Sequence, residues 1–465
     1  MDELNPFGGD RIAVLKPDPV DAGECIDAEW PESKAAIRQV SAVELAVGEP
    51  THSTSHSTTE LKVAEQASTT ASQLTLFEQA ALNGNPKLHQ LWKQVQAARA
   101  RTQYIAELPD PRLAANIFGN PIETAAGSQR ANLSVSQMIP SLKRLNAEQQ
   151  RACFEAMALQ QLWFQERLQV VADLRAAWNR LYVLNWQVDI LGDHGKLIET
   201  LIEIANAGVA TGQRSSGDVL LATVEYARVE QQVLDLQQQM VATVADINRL
   251  IGRPADTPVE PPTVIAAQVP EADFDQLRQS ALLHQPTIEL ARLKAQASRW
   301  GVEVARLQRR PEIGVNATLY AIDDNRPSSA VVDVGEDAWS LGAQVSLPVR
   351  DRKYRAREQE AMWRLAASQA AIDDAVSRTE ASLLTHWEDA LAAQRTMELY
   401  ESTMLPQARQ TLEIDQQSYT TGGVEFDRVL LDARTLLTLE SEYHRSRARL
   451  ATAVARLQQT VGQSI

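Results

Sequence analysis

"ATGQRSSGDVLL" runs from Ala210 to Leu221, and "TTGGVEFDRVLL" runs from Thr420 to Leu431. Each phrase is a glycine-broken turn that leads into an aliphatic helix start. Glycine adopts the left-handed turn at a helix C-terminus at little cost, so each phrase reads as the tip of a helical hairpin. The same phrase twice in one chain makes internal duplication the first question, because a missed repeat misassigns the whole fold.

Outward from the tips the correspondence continues. A shift of 200 positions lays "QAALNGNP" (Gln79 to Pro86) on "QSALLHQP" (Gln279 to Pro286), and Pro111 and Asn116 on Pro311 and Asn316. At 208, "LSVSQMIP" (Leu133 to Pro140) meets "LGAQVSLP" (Leu341 to Pro348); at 209, Trp178 meets Trp387. At 210, Thr211-Gly212 meets Thr421-Gly422, and the "RLIG" ending at Gly252 meets the "QTVG" ending at Gly462. Offsets that drift slowly in one direction are the mark of a duplicated unit with small loop insertions. The chain therefore divides into a Ser/Thr-rich leader (1–73), a first repeat (74–252), a Pro-rich join (253–273) and a second repeat (274–465).

Within each repeat the period of the apolar residues changes twice. Leu74 to Glu107 reads as one helix ending at Leu108-Pro109-Asp110-Pro111. Next comes a strand pair, 112–139 in the first repeat and 312–347 in the second. "ANLSVSQMI" sets Leu133, Val135 and Ile139 against Asn132, Ser134 and Ser136. "GVNATLYAI" sets Val315, Ala317, Leu319 and Ala321 against Gly314, Asn316, Thr318 and Tyr320; "SLGAQVSL" sets Leu341, Ala343, Val345 and Leu347 against Ser340, Gly342, Gln344 and Ser346. "RLAANIFG" (Arg112 to Gly119) carries the faintest alternation of the four. After Pro140 and Pro348 helix returns for some seventy residues, a rod of roughly 100 Å that needs coiled neighbours along its course. Gly192 and Gly195 in the first run, and Pro406 in the second, predict a bend before each tip. The tips span 210–217 and 420–427, and a second helix leaves each, from about Asp218 to Ile251 and from about Asp427 to Val461.

Sixty acidic residues against 45 Lys and Arg give a net charge of -15, which argues against a nucleic-acid partner and against attraction to anionic lipid headgroups. No apolar run is long enough for a transmembrane helix. The first residues lack the basic end and apolar core of a signal peptide, and Glu24 before Cys25 departs from a lipoprotein cysteine. Cys25 and Cys153 fit no metal or redox spacing, and Cys153, inside a helical pattern, reads as a buried free thiol. His52 and His56 read as solvated leader residues rather than a metal pair, and Asp193-His194 has no nucleophile or third ligand beside it. Trp163, Trp178, Trp186, Trp363 and Trp387 fall in the long helices, where packing is their expected use; Trp339 opens a strand and suits an interfacial aromatic girdle. No phosphate loop, metal cluster or catalytic grouping is present, so neither an enzyme nor a cofactor is expected.

Four strands per chain leave two open edges, which a membrane does not tolerate. Eight strands from two copies would make a barrel filled by side chains, whereas twelve from three copies leave room for an aqueous bore. The order helix, strand pair, long helix, glycine tip, helix, written twice, resembles the outer membrane efflux proteins of TolC type. "LPDP" before the first strand, "SQMIP" and "SLPV" closing the hairpins, "LPQA" at Leu405 to Ala408, and "DVLLA" or "VLLDA" after the tips carry the resemblance over about residues 74–465.

The resemblance implies a mainly α fold with a small β part: tandem long antiparallel coiled-coil helices and four transmembrane strands per chain, completed as a trimeric α/β-barrel channel. It implies a homotrimer in outer membrane lipid, extending into the periplasm as a passive conduit. The tip residues Thr211, Gly212, Thr421, Gly422 and Gly423 would face a periplasmic adaptor (membrane fusion protein) and an inner-membrane efflux pump such as the RND type. Gly119 to Gln129 and Asp323 to Ala338 would be extracellular loops. Members of the family narrow the tunnel near the tip with acidic residues. Asp432 matches the second acidic position of that pattern, Val429 stands at the first, Asp427 is the substitute for it, and Asp218 holds the acidic place in the first repeat. As simple first-turn acids, Asp218 and Asp427 would instead favour the positive ends of their helices. "LPDP" and "SQMIP" resemble members paired with heavy-metal cation pumps, without a Met, His or Cys cluster to accompany them; drug or protein export stays open. A soluble antiparallel coiled-coil scaffold or adaptor is the alternative, and it leaves the duplicated strand pairs without a purpose.

Overall fold

The computed structural model describes residues 72–210, 212, 215–325, 335–421 and 423–463. In chain order these form α1 (72–84), α2 (Pro86–Tyr104), β1 (Arg112–Thr124), β2 (Gly127–Ile139), α3 (Leu142–Ala210), α4 (Ser216–Ile251), α5 (Phe274–His284) and α6 (Pro286–Leu307). β3 (Glu312–Asp323), β4 (Ala338–Ser346), α7 (Asp351–Leu399), a π-helical turn (Tyr400–Met404), α8 (Leu405–Thr421) and α9 (Phe426–Val461) follow. The leader up to residue 71, with Cys25, His52 and His56, lies outside the described residues. No described helix is long and apolar enough to cross a membrane.

The chain divides into two units. One holds the sheet and the helix segments around it, Ala98–Glu155 and Gln296–Leu365. Its four strands are antiparallel in the order β1-β2-β3-β4. A small apolar cluster of Ala147, Val304 and Leu307 with Trp300 joins α3 to α6 in this unit. Arg144 pairs with Glu312, Arg306 Nε with Glu358 at 2.9 Å, and Arg309 with Asp351 at 2.8 Å.

The other unit is helical, and its largest core gathers Leu174, Trp178, Leu181 and Tyr182 of α3 with Ile247, Leu250 and Ile251 of α4 and Leu88 and Val95 of α2. The Pro-rich join is strapped onto this core rather than hanging free: Val259 and Ile265 are buried, Trp186 Nε1 donates to Thr263 O at 3.0 Å, and Arg447 donates to Ile265 O at 3.2 Å.

Three expectations are corrected. The helix expected over Leu74 to Glu107 breaks at Asn85, whose Oδ1 accepts from Lys87 N at 2.9 Å and Leu88 N at 3.2 Å, capping a helix that Pro86 begins. Its repeat counterpart, Gln285 before Pro286, makes the same break. Both breaks seat a C-cap glycine: a Cβ on Gly252 would lie 2.3 Å from Gly84 O, and one on Gly462 would lie 2.6 Å from His284 O. Gly192 and Gly195 do not break α3, which is continuous over 69 residues, because glycine costs only about 1 kcal/mol in a helix interior. Pro406 does perturb its run: lacking an N–H, it is preceded by the π-helical turn, where Leu405 N bonds Tyr400 O. Finally, Cys153 is not a free thiol but disulfide-bonded.

His444 of α9 is clamped beside the join. It stacks on Trp186 at 4.3 Å with the rings 13° apart, and its Nδ1 is 2.8 Å from the Tyr182 hydroxyl. Burial, with nearby Arg447 adding to it, pushes this imidazole down to about 4. An unfolded histidine titrates near ~6.5, so between these values the unfolded chain takes up a proton that the folded one refuses. This contribution to stability is complete above the unfolded value and is lost as pH falls towards about 4. Thermal denaturation over this window should show a smaller loss of Tm for His444→Phe, which keeps the stack, than for the parent. Parallel profiles would mean the ring does not titrate there.

Candidate functional site: a two-faced sheet and two hairpin tips

The sheet has an apolar face and a polar face, and the pairing register makes each continuous across all four strands. Leu113, Val135, Ala317 and Leu341 form one apolar row, and Ala115, Leu133, Leu319 and Trp339 the next. This face is uncovered: Leu341 is 75% exposed, Trp339 72%, and Ile117, one row further along, 86%. A soluble protein does not leave a contiguous surface of this kind bare. Trp339 is the second residue of β4 and lies on this apolar face. Trp163 and Trp178 are core residues as expected, but Trp363 is exposed.

On the opposite face the rows are polar. Arg112, Ser136, Asn316 and Gly342 align, as do Ala114, Ser134, Thr318 and Ser340, and Asn116, Asn132, Tyr320 and Ala338. Asn116 Nδ2 donates to Asn132 Oδ1 at 2.8 Å across the first pair. Gly342 lies beneath the Asn316 amide and Gly314 beneath Gln344, so that a Cβ at either position would push the covering side chain aside. Strands of 9 to 13 residues match the length that crosses a bilayer at a tilt. Among the described residues, β1 and β4 each have one edge without a partner strand.

The expected long loop from Gly119 to Gln129 is not there. β1 runs to Thr124 and β2 starts at Gly127, so only residues 125 and 126 turn the chain. A bulge between Ile117 and Ile122 holds Gly119 and Pro121, which is where a strand tolerates a missing N–H. The second connection, between Asp323 and Ala338, is described at residues 324–325 and again from Gly335, whose N–H bonds Ala126 O at 2.9 Å.

The tips lie in the helical unit. Gly212 takes φ +72°, and its N–H bonds Val209 O at 3.0 Å. Ser215 then caps α4 through Gly217 N. In the second tip Gly423 N bonds Ser418 O at 2.8 Å and Thr421 Oγ1 donates to Ser418 O at 3.0 Å. Tyr419 and Phe426, both buried, meet edge to face at 5.8 Å and pin the second hairpin shut. Thr211 and Gly422 lie outside the described residues.

Of the candidate gate residues, Asp218 and Asp427 occupy the first turns of α4 and α9, where a carboxylate favours the helix dipole. Asp432 sits differently. Its side chain is 12% exposed, and Arg428 Nε reaches both it, at 3.4 Å, and Asp415 of α8, at 3.1 Å. Burial, then the neighbouring Asp415, hold the Asp432 carboxyl above the usual range; a hydrogen bond from Asp432, then Arg428, hold Asp415 below it. Two carboxyls beside one guanidinium compete for its charge, which raises one of them and lowers the other. Asp415 and Arg428 escaped the sequence reading, although Asp415 and Asp432 are nearly equidistant from Gly423, as partners across a hairpin must be.

A second ion pair, also unforeseen, ties the two repeats together. Arg434 of α9 grips Glu225 of α4 with both Nε, at 2.8 Å, and Nη2. The Glu225 side chain is 9% exposed, and the Arg434 bond holds its carboxyl below the usual range. His194 is buried nearby, where burial holds its imidazole below the ordinary value. Asp193 faces away to Lys196 at 2.8 Å. No cluster of metal-binding side chains exists among the described residues.

A family model described as "Outer membrane efflux protein" matches residues 78–253 and 277–463. No curated protein matches the sequence. Among solved structures, the outer-membrane channel OprN superposes with a TM-score of 0.72 at 20% identity, covering 84% of this chain and 90% of that one. The outer membrane protein VceC from Vibrio cholerae gives 0.70 at 19% identity, covering 84% and 97%. The CmeC outer membrane channel of Campylobacter jejuni gives 0.72 at 13%, covering 90% and 91%. Identities this low establish likeness of fold.

Proposed function

The chain belongs to the outer membrane efflux protein family, and from that premise we propose that three copies close into one channel through the outer membrane, continued by their helices into the periplasm. The observation that carries this is the sheet: four strands, an exposed apolar face, a polar face and two unpaired edges. A polar face of Ser, Thr and Asn side chains suits a passive water-filled conduit, with direction and energy supplied elsewhere. The hairpin ends around Gly212 and Gly423 are the natural meeting points for a periplasmic adaptor and an inner-membrane pump. The soluble scaffold is not favoured, because a rod of helices needs no such sheet. Reconstitution tests the reading: purified protein should give discrete conductance steps in planar bilayers and migrate as a heat-resistant trimer. A monomer that leaves bilayers silent would defeat it.

The Asp415-Arg428-Asp432 cluster is the proposed latch of the tip. Arg428→Ala leaves two carboxyls facing each other without their counter-charge and should loosen the α8-α9 hairpin. The expected result is a higher single-channel conductance for Arg428→Ala, and a smaller rise for Asp432→Ala, which removes the repulsion with the charge. Conductance unchanged in both variants would remove this cluster from the conduction path.

A further inference from the structure

We propose that the foot of the sheet, where α7 leaves β4, is a binding surface for the phosphate groups of anionic phospholipids. The net charge of -15 conceals a strong local excess of the opposite sign. Between Leu347 and Arg357, "LPVRDRKYRAR", five basic residues stand against one acid. That acid, Asp351, is already engaged by Arg309 at 2.8 Å and by Arg355 at 2.8 Å. Arg310, Arg350 and Arg352 are exposed and make no ion pair among the described residues. The Lys353 ammonium lies 5.6 Å from the centre of the Tyr354 ring, and an amphipathic tyrosine beside a lysine is a pairing suited to the headgroup layer.

What turns a basic cluster into a lipid surface is its continuity with the apolar face. Beyond the outward Trp339, Leu341 and Val345 of β4, the next apolar residues, Leu347 and Val349, are 64% and 81% exposed. The first free guanidinium, Arg350, follows at once. Arg310 reaches the same level from the other side, since it precedes β3 by two residues and the pairing Glu312↔Ser346 marks this end of the sheet. Apolar side chains that end in a line of unpaired cations reproduce the profile of one leaflet, tails first and phosphates next. Because this end of the sheet carries the helices, the leaflet is the periplasmic one. Basic residues beside a membrane-embedded segment gain roughly fivefold each in affinity for an anionic surface.

The inference rests on the channel reading, so its test begins with protein shown to be a heat-resistant trimer in the same preparation. The trimer is reconstituted into phosphatidylcholine vesicles with spin-labelled phosphatidylglycerol or spin-labelled phosphatidylcholine as probe, and the fraction of motionally restricted lipid is measured. The parent should restrict phosphatidylglycerol several-fold more than phosphatidylcholine. The excess should shrink in high salt and be mostly lost in R350Q/R352Q/K353Q, with trimer and conductance intact. Inorganic phosphate at buffer concentration should not displace the lipid; displacement would reassign the surface to free phosphate. Equal restriction of both lipids by the parent trimer, or an excess untouched by the triple variant, overturns the proposal. Absence of the trimer would refute the channel reading instead.

Discussion

Leu341→Arg should abolish the heat-resistant trimer and the conductance, while Ser340→Arg, one residue away, should leave both in place. Leu341 ends an apolar row that runs from Leu113 through Val135 and Ala317, and it is exposed on the single chain. A charge placed there would stand in hydrocarbon. At mid-depth an arginine costs roughly 2 to 4 kcal/mol on the lipid face of a barrel, and three copies multiply the cost to roughly 6 to 12 kcal/mol per assembly. Ser340 pairs with Thr318 on the other face, where an arginine would meet water. The contrast between neighbours is the informative part, because a general intolerance of the strand to bulk or charge would affect both. Semi-native electrophoresis of outer membrane extracts reads the trimer, and planar bilayers read the conductance. Equal behaviour of the two variants would mean that the faces have been assigned wrongly.

Trp178→Ala should cost about 3 to 5 kcal/mol, the range for removing a large aromatic from a packed core, whereas Trp387→Ala should cost distinctly less. The two residues are counterparts in the duplication, 209 positions apart. Trp178 is 1% exposed, within the cluster that joins α2, α3 and α4, and meets Phe77 edge to face at 5.4 Å. Trp387 is half-buried at the margin of the second repeat's cluster, near Phe274 at 6.3 Å. The difference tests whether the two halves, alike in plan, have diverged in where their stability is concentrated. Denaturant unfolding in mild detergent, comparing midpoints at equal slope, supplies the number. Equal losses would show that the cores are energetically equivalent despite their different burial.

The sheet and the long helices were legible because each has a period that side-chain chemistry writes plainly: apolar and polar alternate in β2, β3 and β4, and the helical runs persist for dozens of residues. The end of β1 was not, because Gly119, Asn120 and Pro121 read as loop residues until a bulge is known to hold them. The break at Asn85 was written in the sequence as Gly84-Asn85-Pro86, a cap followed by a proline, and repeated as His284-Gln285-Pro286. The helix-forming residues on either side outweighed it. Gly192 and Gly195 pointed the other way, since glycine weakens a helix that tertiary packing then restores. The family resemblance singled out Asp432 but could not supply its neighbours. Asp415 and Arg428 come to it only when α8 and α9 fold back on each other about Gly423. The Glu225-Arg434 clasp joins helices from different repeats, a contact that no local pattern encodes.

The free edges of β1 and β4 provide the most direct test of the central claim, by electron cryomicroscopy of the protein extracted from outer membranes. The account predicts a ring of twelve strands, four from each of three copies, with β4 of one copy hydrogen-bonded antiparallel to β1 of the next and Leu113, Leu319 and Leu341 facing the detergent or lipid belt. A sheet whose edges stay open, or whose apolar face is covered by protein rather than lipid, would contradict it.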